Sequence, residues 1–383
     1  MNATPPPDRE PSPARSMCDC TATPHAAFAR PASCRYCCES RFRIGARGPV
    51  MAPLKRLLQF TVLAVASLLA VHPALAQDKA AAKASPIPVI FDTDIGDDID
   101  DTWALGFLLR SPELDLKLAV GDNGKSMYRA RLLAKFLQQA GRTNVPVGIG
   151  MEVERKKNER QGKWLEGYDL KTYPGKVHED GVQAIIDTIM SSSRPVTLIC
   201  VGPVPNIAAA LKREPRIAQR ARFAGMHGSV QFGYNSDKPV AEYNVKEAPQ
   251  ACQAAFTAPW DIVITPLDTC EKVSLSGDRY QRMLTSKDPI ATNIITNYRL
   301  WADARGQGSP DAVPTRSTTL FDTVAVYLAF SQEFCGMQDL HIRVTDDGFT
   351  VEDPQAKMMH VAMTWKKLDT FEDLLVERLT SGN

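Results

Sequence analysis

Between Pro88 and Leu105 the chain reads PVIFDTDIGDDIDDTWAL, and no other stretch limits the fold as tightly. An apolar run of the kind that forms a buried strand leads into six aspartates: Asp92, Asp94, Asp97, Asp98, Asp100 and Asp101. An amphipathic run follows. A strand that ends in Asp-Thr-Asp and turns through Gly96 delivers carboxylates to the carboxyl edge of a sheet, where open α/β folds hold their ligands. Like charges at this spacing repel unless a cation sits among them. Oxygen ligands alone, at such density, suit calcium or magnesium rather than zinc. A solvated turn with a helix-capping aspartate would use one carboxylate and gain nothing from six.

The amino-terminal part is different material. Residues 1–50 are rich in Pro, Arg, Ala and Ser, show no helix or strand period, and hold five of the nine cysteines (Cys18, Cys20, Cys34, Cys37, Cys38). A secretory pattern then starts at Met51: Lys55 and Arg56, an apolar core from Leu57 to Val71, and the cleavage pattern Ala74-Leu75-Ala76. That core is shorter than the roughly twenty residues a membrane span needs. The expectation is therefore a non-native or disordered leader over 1–50, a signal peptide over 51–76, a linker over 77–85 and one domain over 86–383. Met51 is the expected true start, and peptides from 1–50 in the native precursor would overturn that. The product is expected to be exported, periplasmic or secreted after cleavage near Ala76, with no membrane anchor left. Export permits disulfides, yet Cys200, Cys252, Cys270 and Cys335 allow several pairings, and Cys200 at the end of an apolar run reads as a buried thiol.

From Pro88 on, short apolar runs alternate with longer amphipathic ones. PVIFDTD, LDLKLAVGD, VPVGIG, PVTLICVG, ARFAGMHGS, DIVITPLD, LHIRV and HVAMTW read as strands. TWALGFLLRS, MYRARLLAKFLQQAG, GVQAIIDTIMSSS, PNIAAALKRE and FEDLLVERL read as helices. The alternation predicts an α/β fold: an open, mostly parallel, Rossmann-like central sheet with helices on both faces, and a late antiparallel hairpin around Thr345–Gly348. The segment Met151–Gly175 lacks a period and reads as a loop or lid, with Trp164 and Tyr168 either closing over a pocket or merely covering the core. A net charge of +1 gives no electrostatic footprint for nucleic acid.

Several predicted strand ends carry oxygen-bearing side chains that this fold would gather: Gly121-Asp122-Asn123, Val201-Gly202-Pro203 with Asn206, Glu242 and Asn244 in AEYN, and Asp322 in TLFDTVAV. With DTDIGDDIDDTWAL and VTLICVGPVPNIAAA in the same order, the chain resembles the inosine–uridine-preferring nucleoside hydrolases from Val89 to at least Phe330. The resemblance implies a tightly bound calcium ion and hydrolysis of the N-glycosidic bond of a ribonucleoside or related glycoside, with homo-oligomerisation left open. It implies Asp94, Asp100, Asp101, the Val201 carbonyl and Asp322 around the ion. Asp94 would act as base, and Asp122 or Asn123, Asn235, Glu242 and Asn244 would hold the ribose. Asn244 would also serve catalysis.

Two departures stand out. The family's DTDPGxDD becomes DTDIGDDIDD, with Ile95 for proline and two further residues before the last acid pair, which leaves the ligands among Asp97, Asp98, Asp100 and Asp101 open, with Asp101 favoured because it directly precedes the helix. The family's well-studied members also carry a histidine just before the final aspartate as general acid, where this chain has Phe321. General-acid help is worth about 10²–10⁴-fold. His178, His227, Tyr234, Tyr298, Trp301 and Arg305 are the candidates on the leaving-group side; Trp301 could stack on a base or simply pack its helix, Arg305 could hydrogen-bond the base, His227 after an apolar strand reads rather as a structural histidine, and His178 in its loop as a solvated one. A periplasmic nucleoside- or sugar-binding protein that has lost catalysis is the competing reading. A haloacid-dehalogenase-type phosphatase, suggested by FDTD alone, is a weaker one.

Overall fold

The apolar runs become strands because each is short, β-branched and covered on both faces. The computed structural model describes residues 85–153, 159–306 and 315–382. The leader and signal segments lie outside the described residues, as does the linker apart from Ser85. Ten strands among the described residues form one sheet: β1 (Ile87–Thr93), β2 (Leu114–Gly121), β3 (Val147–Gly148), β4 (Val177–His178), β5 (Val196–Cys200), β6 (Ala221–Met226), β7 (Ile262–Thr265), β8 (Cys335–Val344), β9 (Thr350–Glu352) and β10 (Met358–Trp365). Their order is β4-β3-β2-β1-β5-β6-β7-β10-β8-β9. Pairing is parallel from β4 to β10 and antiparallel across β10, β8 and β9. The turn between β8 and β9 is the hairpin expected at Thr345–Gly348.

Side chains alternate along β1 as a pleated strand requires. Val89 and Phe91 pack into one apolar cluster with Trp103, Leu133 and Tyr298, under the helices Asp100–Leu109, Ser126–Gln139 and Pro289–Ala304. Ile90 joins Leu198, Ile207 and Ile264 on the opposite face, under the helices Gly181–Ser191 and Pro205–Arg213.

Strand order runs outward from β1 and β5 in opposite directions, so the loops leaving these two strands diverge. The crevice between diverging loops at the carboxyl ends of parallel strands is the usual ligand position in such sheets. Asp92 of β1 pairs in register with Cys200 of β5. Asp94 and Val201 therefore leave the sheet side by side at this switch point.

The described part of Met151–Gly175 is not a free lid. It forms two short turns, Gly162–Leu165 and Leu170–Thr172, and buries Trp164, Leu165, Leu170 and Tyr173. Trp164 packs on Phe136 at 6.4 Å, with the Lys135 ammonium 4.9 Å from its ring. Apolar area drives these aromatics onto the core, so the cover expected of Trp164 and Tyr168 lies over the helix Ser126–Gln139.

Candidate active site

Gly96 makes the acidic loop possible. Its φ of +112° suits glycine, and a Cβ there would lie 2.5 Å from the Tyr128 ring. Beyond it the two additional residues of the motif have separate tasks. The Asp97 carboxylate pairs with Arg129 at 3.3 Å, and its carbonyl accepts from Trp301 Nε1 and Arg160 Nη1, both at 2.9 Å. Asp98 accepts from the backbone N–H of Ile99 at 2.7 Å. Asp100 and Asp101 then open the helix Asp100–Leu109, and Asp322 opens the helix Asp322–Leu328. The two helix N-termini face each other, and the Asp322 N–H donates to Asp100 Oδ2 at 3.3 Å. Positive helix ends favour carboxylates here.

Carboxylate oxygens of Asp100, Asp101 and Asp322 lie within 4.8 Å of one another, all buried. Burial first, and mutual repulsion second, holds each of the three well above the usual carboxylate range: Asp98 acts on Asp100, Asp94 on Asp101, and Asp100 on Asp322. Thr93 Oγ1 donates to Asp101, fixing one carboxylate from beneath. The buried Arg129 reaches Asp94 at 3.9 Å but pairs with none of the trio. A compact set of hard oxygen donors short of positive charge fits a calcium- or magnesium-like dication. Asp94 and Val201 line the same cavity.

Arg129 was not singled out from the sequence, although a signal existed. It sits in helical phase with Leu132, Leu133 and Phe136, all buried, and a charge on that apolar stripe needs a buried partner. It donates to the carbonyls of Ile95 (2.8 Å) and Asn123 (2.9 Å), clamping the acidic loop to the loop after β2.

Elsewhere on the cavity wall, Glu242 caps the helix Tyr243–Glu247. Its carboxylate accepts from the N–H groups of Asn244 (2.8 Å), Val245 (3.2 Å) and Gly228 (2.9 Å). Burial outweighs these three bonds and pushes Glu242 up to about 7. Asn244 Nδ2 donates to the carbonyls of Met226 (3.0 Å) and Val201 (3.3 Å), which leaves Oδ1 as its acceptor for a ligand. Both residues line the cavity.

Three other expected sugar ligands are placed elsewhere. Asp122 lies behind Asp94. Its carboxylate accepts from the Val204 N–H at 2.7 Å, and burial, then Asp94, pushes it up to about 7. Asn123 is buried off the cavity wall, with no described partner for its side-chain amide. Asn235 is exposed; its backbone N–H donates to Glu271 at 2.8 Å and its side chain is not on the wall. In each case loop backbone, rather than residue type, decides where the side chain points.

The remaining wall holds Arg160, Tyr234, Tyr243, Glu247, Arg305 and Phe321. Tyr234 packs edge-on against Phe321 at 6.4 Å, and its hydroxyl accepts from the Tyr243 N–H at 3.2 Å. Of the two roles open to Trp301, it fills the packing one: it is fully buried, and the Arg305 guanidinium covers its ring at 4.6 Å, so it presents no face to a base. Tyr298 lies in the core beside it. His227 is buried between Phe223 and Phe256, with Nε2 donating to the Gly202 carbonyl at 3.0 Å. Burial pushes it down to about 4, so it is a neutral packing residue. His178 sits on edge strand β4, away from the wall.

The cavity enclosed by these residues has a volume of about 640 Å³, within the range of small-molecule sites. The sequence profile described as inosine-uridine preferring nucleoside hydrolase matches residues 89–373. A non-specific ribonucleoside hydrolase of Klebsiella pneumoniae is 31% identical over 201 residues, which are 50% of this chain and 65% of that relative. The chain thus spans just under two-thirds of that protein's length. A pyrimidine-specific ribonucleoside hydrolase of Citrobacter koseri is 28% identical over 219 residues, 54% of this chain and 69% of its own. Among solved structures, a plant nucleoside hydrolase superposes with a TM-score of 0.65 at 23% identity, covering 78% of this chain and 100% of its own. A purine-preferring ribonucleoside hydrolase from Gardnerella vaginalis gives 0.62 at 22% identity, covering 76% and 98%. At these identities the structural likeness speaks for the fold.

Proposed function

The chain belongs to the inosine-uridine preferring nucleoside hydrolase family, and on that footing we propose that it is an exported, calcium-dependent hydrolase that splits ribonucleosides into base and ribose. The observation carrying this reading is one cavity in which the Asp100, Asp101 and Asp322 carboxylates stand beside Glu242 and Asn244. Asp94, Asp100, Asp101, Asp322 and the Val201 carbonyl would hold the ion. When bound, such an ion lowers the pKa of a coordinated water and grips a vicinal diol.

The chain's own groups account for the rest. Asp94 takes the proton of the attacking water as the bond between the anomeric carbon and the base nitrogen breaks. Glu242 and the Asn244 Oδ1 accept from ribose hydroxyls, and those contacts strengthen as positive charge develops on the ring. Export rests on Lys55 to Ala76, the basic start, apolar core and cleavage pattern.

Ribose release from a panel of nucleosides, with and without a chelator, tests the reading. Chelator-sensitive release is expected. Phe321 favours the second reading, a nucleoside- or sugar-binding protein, because it removes the family's usual proton donor. Tight nucleoside binding with no release would establish that alternative. Phosphate release from phosphomonoesters would replace both readings with a phosphatase.

A further inference from the structure

If the cavity hydrolyses nucleosides as proposed, something other than an imidazole must deal with the departing base. The wall can be sorted by chemistry. Asp94, Asp100, Asp101, Asp322, Glu242 and Asn244 occupy the diol side, so the aglycone is left with Arg160, Tyr234, Tyr243, Glu247, Arg305 and Phe321, with Asp98 of the acidic loop at their edge. Both histidines considered from the sequence are off this wall. Two guanidiniums stand on it, and both are tied to one point of the acidic loop. Arg160 donates to the Asp97 carbonyl, and Trp301, which carries Arg305 on its ring face, donates to the same carbonyl.

No carboxylate of the described residues pairs with Arg305 at ion-pair distance, although its charge acts on Asp98 from further off; its flat face is spent on Trp301, which leaves the edge with its N–H fork for a ligand. Arg305 also borders a neighbouring cavity of about 560 Å³ shared with Asp98 and Phe321, so it stands where an aglycone leaves the sugar site.

A guanidinium cannot act as general acid, because it does not give up its proton in a protein. It can stabilise negative charge. We propose that Arg305, backed by Arg160, stabilises the base as it departs as an anion. The glycosidic carbon–nitrogen bond breaks with both electrons passing to the base nitrogen. Water oxygen bonds to the anomeric carbon and its proton goes to Asp94. The base anion is protonated by solvent after release. The fork contains donors only, so it favours bases that place carbonyl or ring-nitrogen acceptors towards Arg305.

The test compares two leaving groups in wild type and Arg305→Ala: uridine, whose base leaves poorly, and 4-nitrophenyl β-D-riboside, whose phenolate leaves without help. Arg305→Ala is expected to lower kcat/KM for uridine by about 10²-fold, the scale of one lost charge-stabilising donor. The nitrophenyl riboside should be cleaved almost as before, which also reports an intact fold. Added guanidinium ion should restore part of the uridine rate. Equal losses on both substrates, or no loss on uridine, overturn the proposal. So does a selective uridine loss in Tyr234→Phe with none in Arg305→Ala, which would make the phenol the proton donor. If wild type releases ribose from neither substrate nor from any nucleoside of the panel, the hydrolase reading itself fails, a result distinct from any of these.

Discussion

The two walls of the cavity are built in opposite ways. The diol wall comes from strand ends and helix starts: Asp94 after β1, Val201 after β5, and Asp100 and Asp322 in the first turns of two facing helices. Its side chains are almost wholly buried, with Asp100 held by the Asp322 N–H and Asp101 by Thr93. The aglycone wall comes from loops and helix ends, and Tyr234, Tyr243 and Arg305 on it are exposed. Carboxylates are concentrated where burial is greatest, and on the proposed reading the leaving group meets the more exposed groups, which can vary without unfolding the sheet. Phe321 marks the boundary, one residue before Asp322.

If the buried wall does the binding and part of the chemistry, damage there should be severe and general. Asp322→Ala or Asp94→Ala should reduce ribose release to background for every substrate and abolish binding of calcium, read by isothermal titration. Full calcium content in Asp94→Ala would contradict its placement among the ligands. Asn244→Ala comes next. With Oδ1 as its ligand-facing acceptor, the loss should fall on kcat more than on KM, by about 10²-fold, because the contact strengthens as charge develops. A change confined to KM would make Asn244 a ground-state binding residue.

The same contrast explains what could be read before the structure. The diol wall is encoded locally: an apolar run fixes a strand end, and a carboxylate following it has little freedom of position. Arg129 was legible in principle, since it breaks the apolar stripe of its own helix, but its partners lie in two separate loops. Asp122 could not be placed from sequence. Whether its carboxylate reaches the cavity or caps the helix Pro205–Arg213 depends on Val204 adopting φ +60° and on Gly202 passing close to Asp94, neither of which leaves a periodic trace. Trp301 stayed open between stacking and packing for a similar reason: the helix Pro289–Ala304 is amphipathic, and only packing decides which aromatic is covered.

A gentler probe of the buried wall is pH in the absence of divalent ions. Asp92, Asp100, Asp101, Asp122, Asp322 and Glu242 are all held above their ordinary values, chiefly by burial. A raised pKa in the folded state favours the protonated form. These groups therefore support the fold fully below their ordinary values, 3.8 for Asp and 4.5 for Glu, and lose that support as pH rises through about 7, where Asp122 and Glu242 titrate. Surface acids such as Asp180 and Asp353 are lowered by their partners, so their contribution changes at more acidic pH. The chelated protein should accordingly show a Tm that falls between pH 4.5 and about 7. Calcium should raise Tm more at the upper end, because only ionised carboxylates ligate. A chelated Tm that is flat or rising across that window would refute the picture of unrelieved buried charge.

The smallest effect expected tests the variable wall at Asn235, which the family resemblance would make a ribose ligand. Its side chain is off the cavity, while its backbone has φ +61° and its N–H is held by Glu271. A residue whose backbone matters and whose side chain does not should respond differently to two substitutions. Asn235→Gly keeps the left-handed conformation and removes the side chain, so kcat/KM should be unchanged and stability altered by no more than about 0.5 kcal/mol. Asn235→Ala removes the same amide but strains the backbone, costing about 1–2 kcal/mol in thermal or denaturant unfolding. Were the amide gripping ribose, both variants would raise KM alike, and the Gly variant, with its backbone unstrained, would show that loss without any loss of stability.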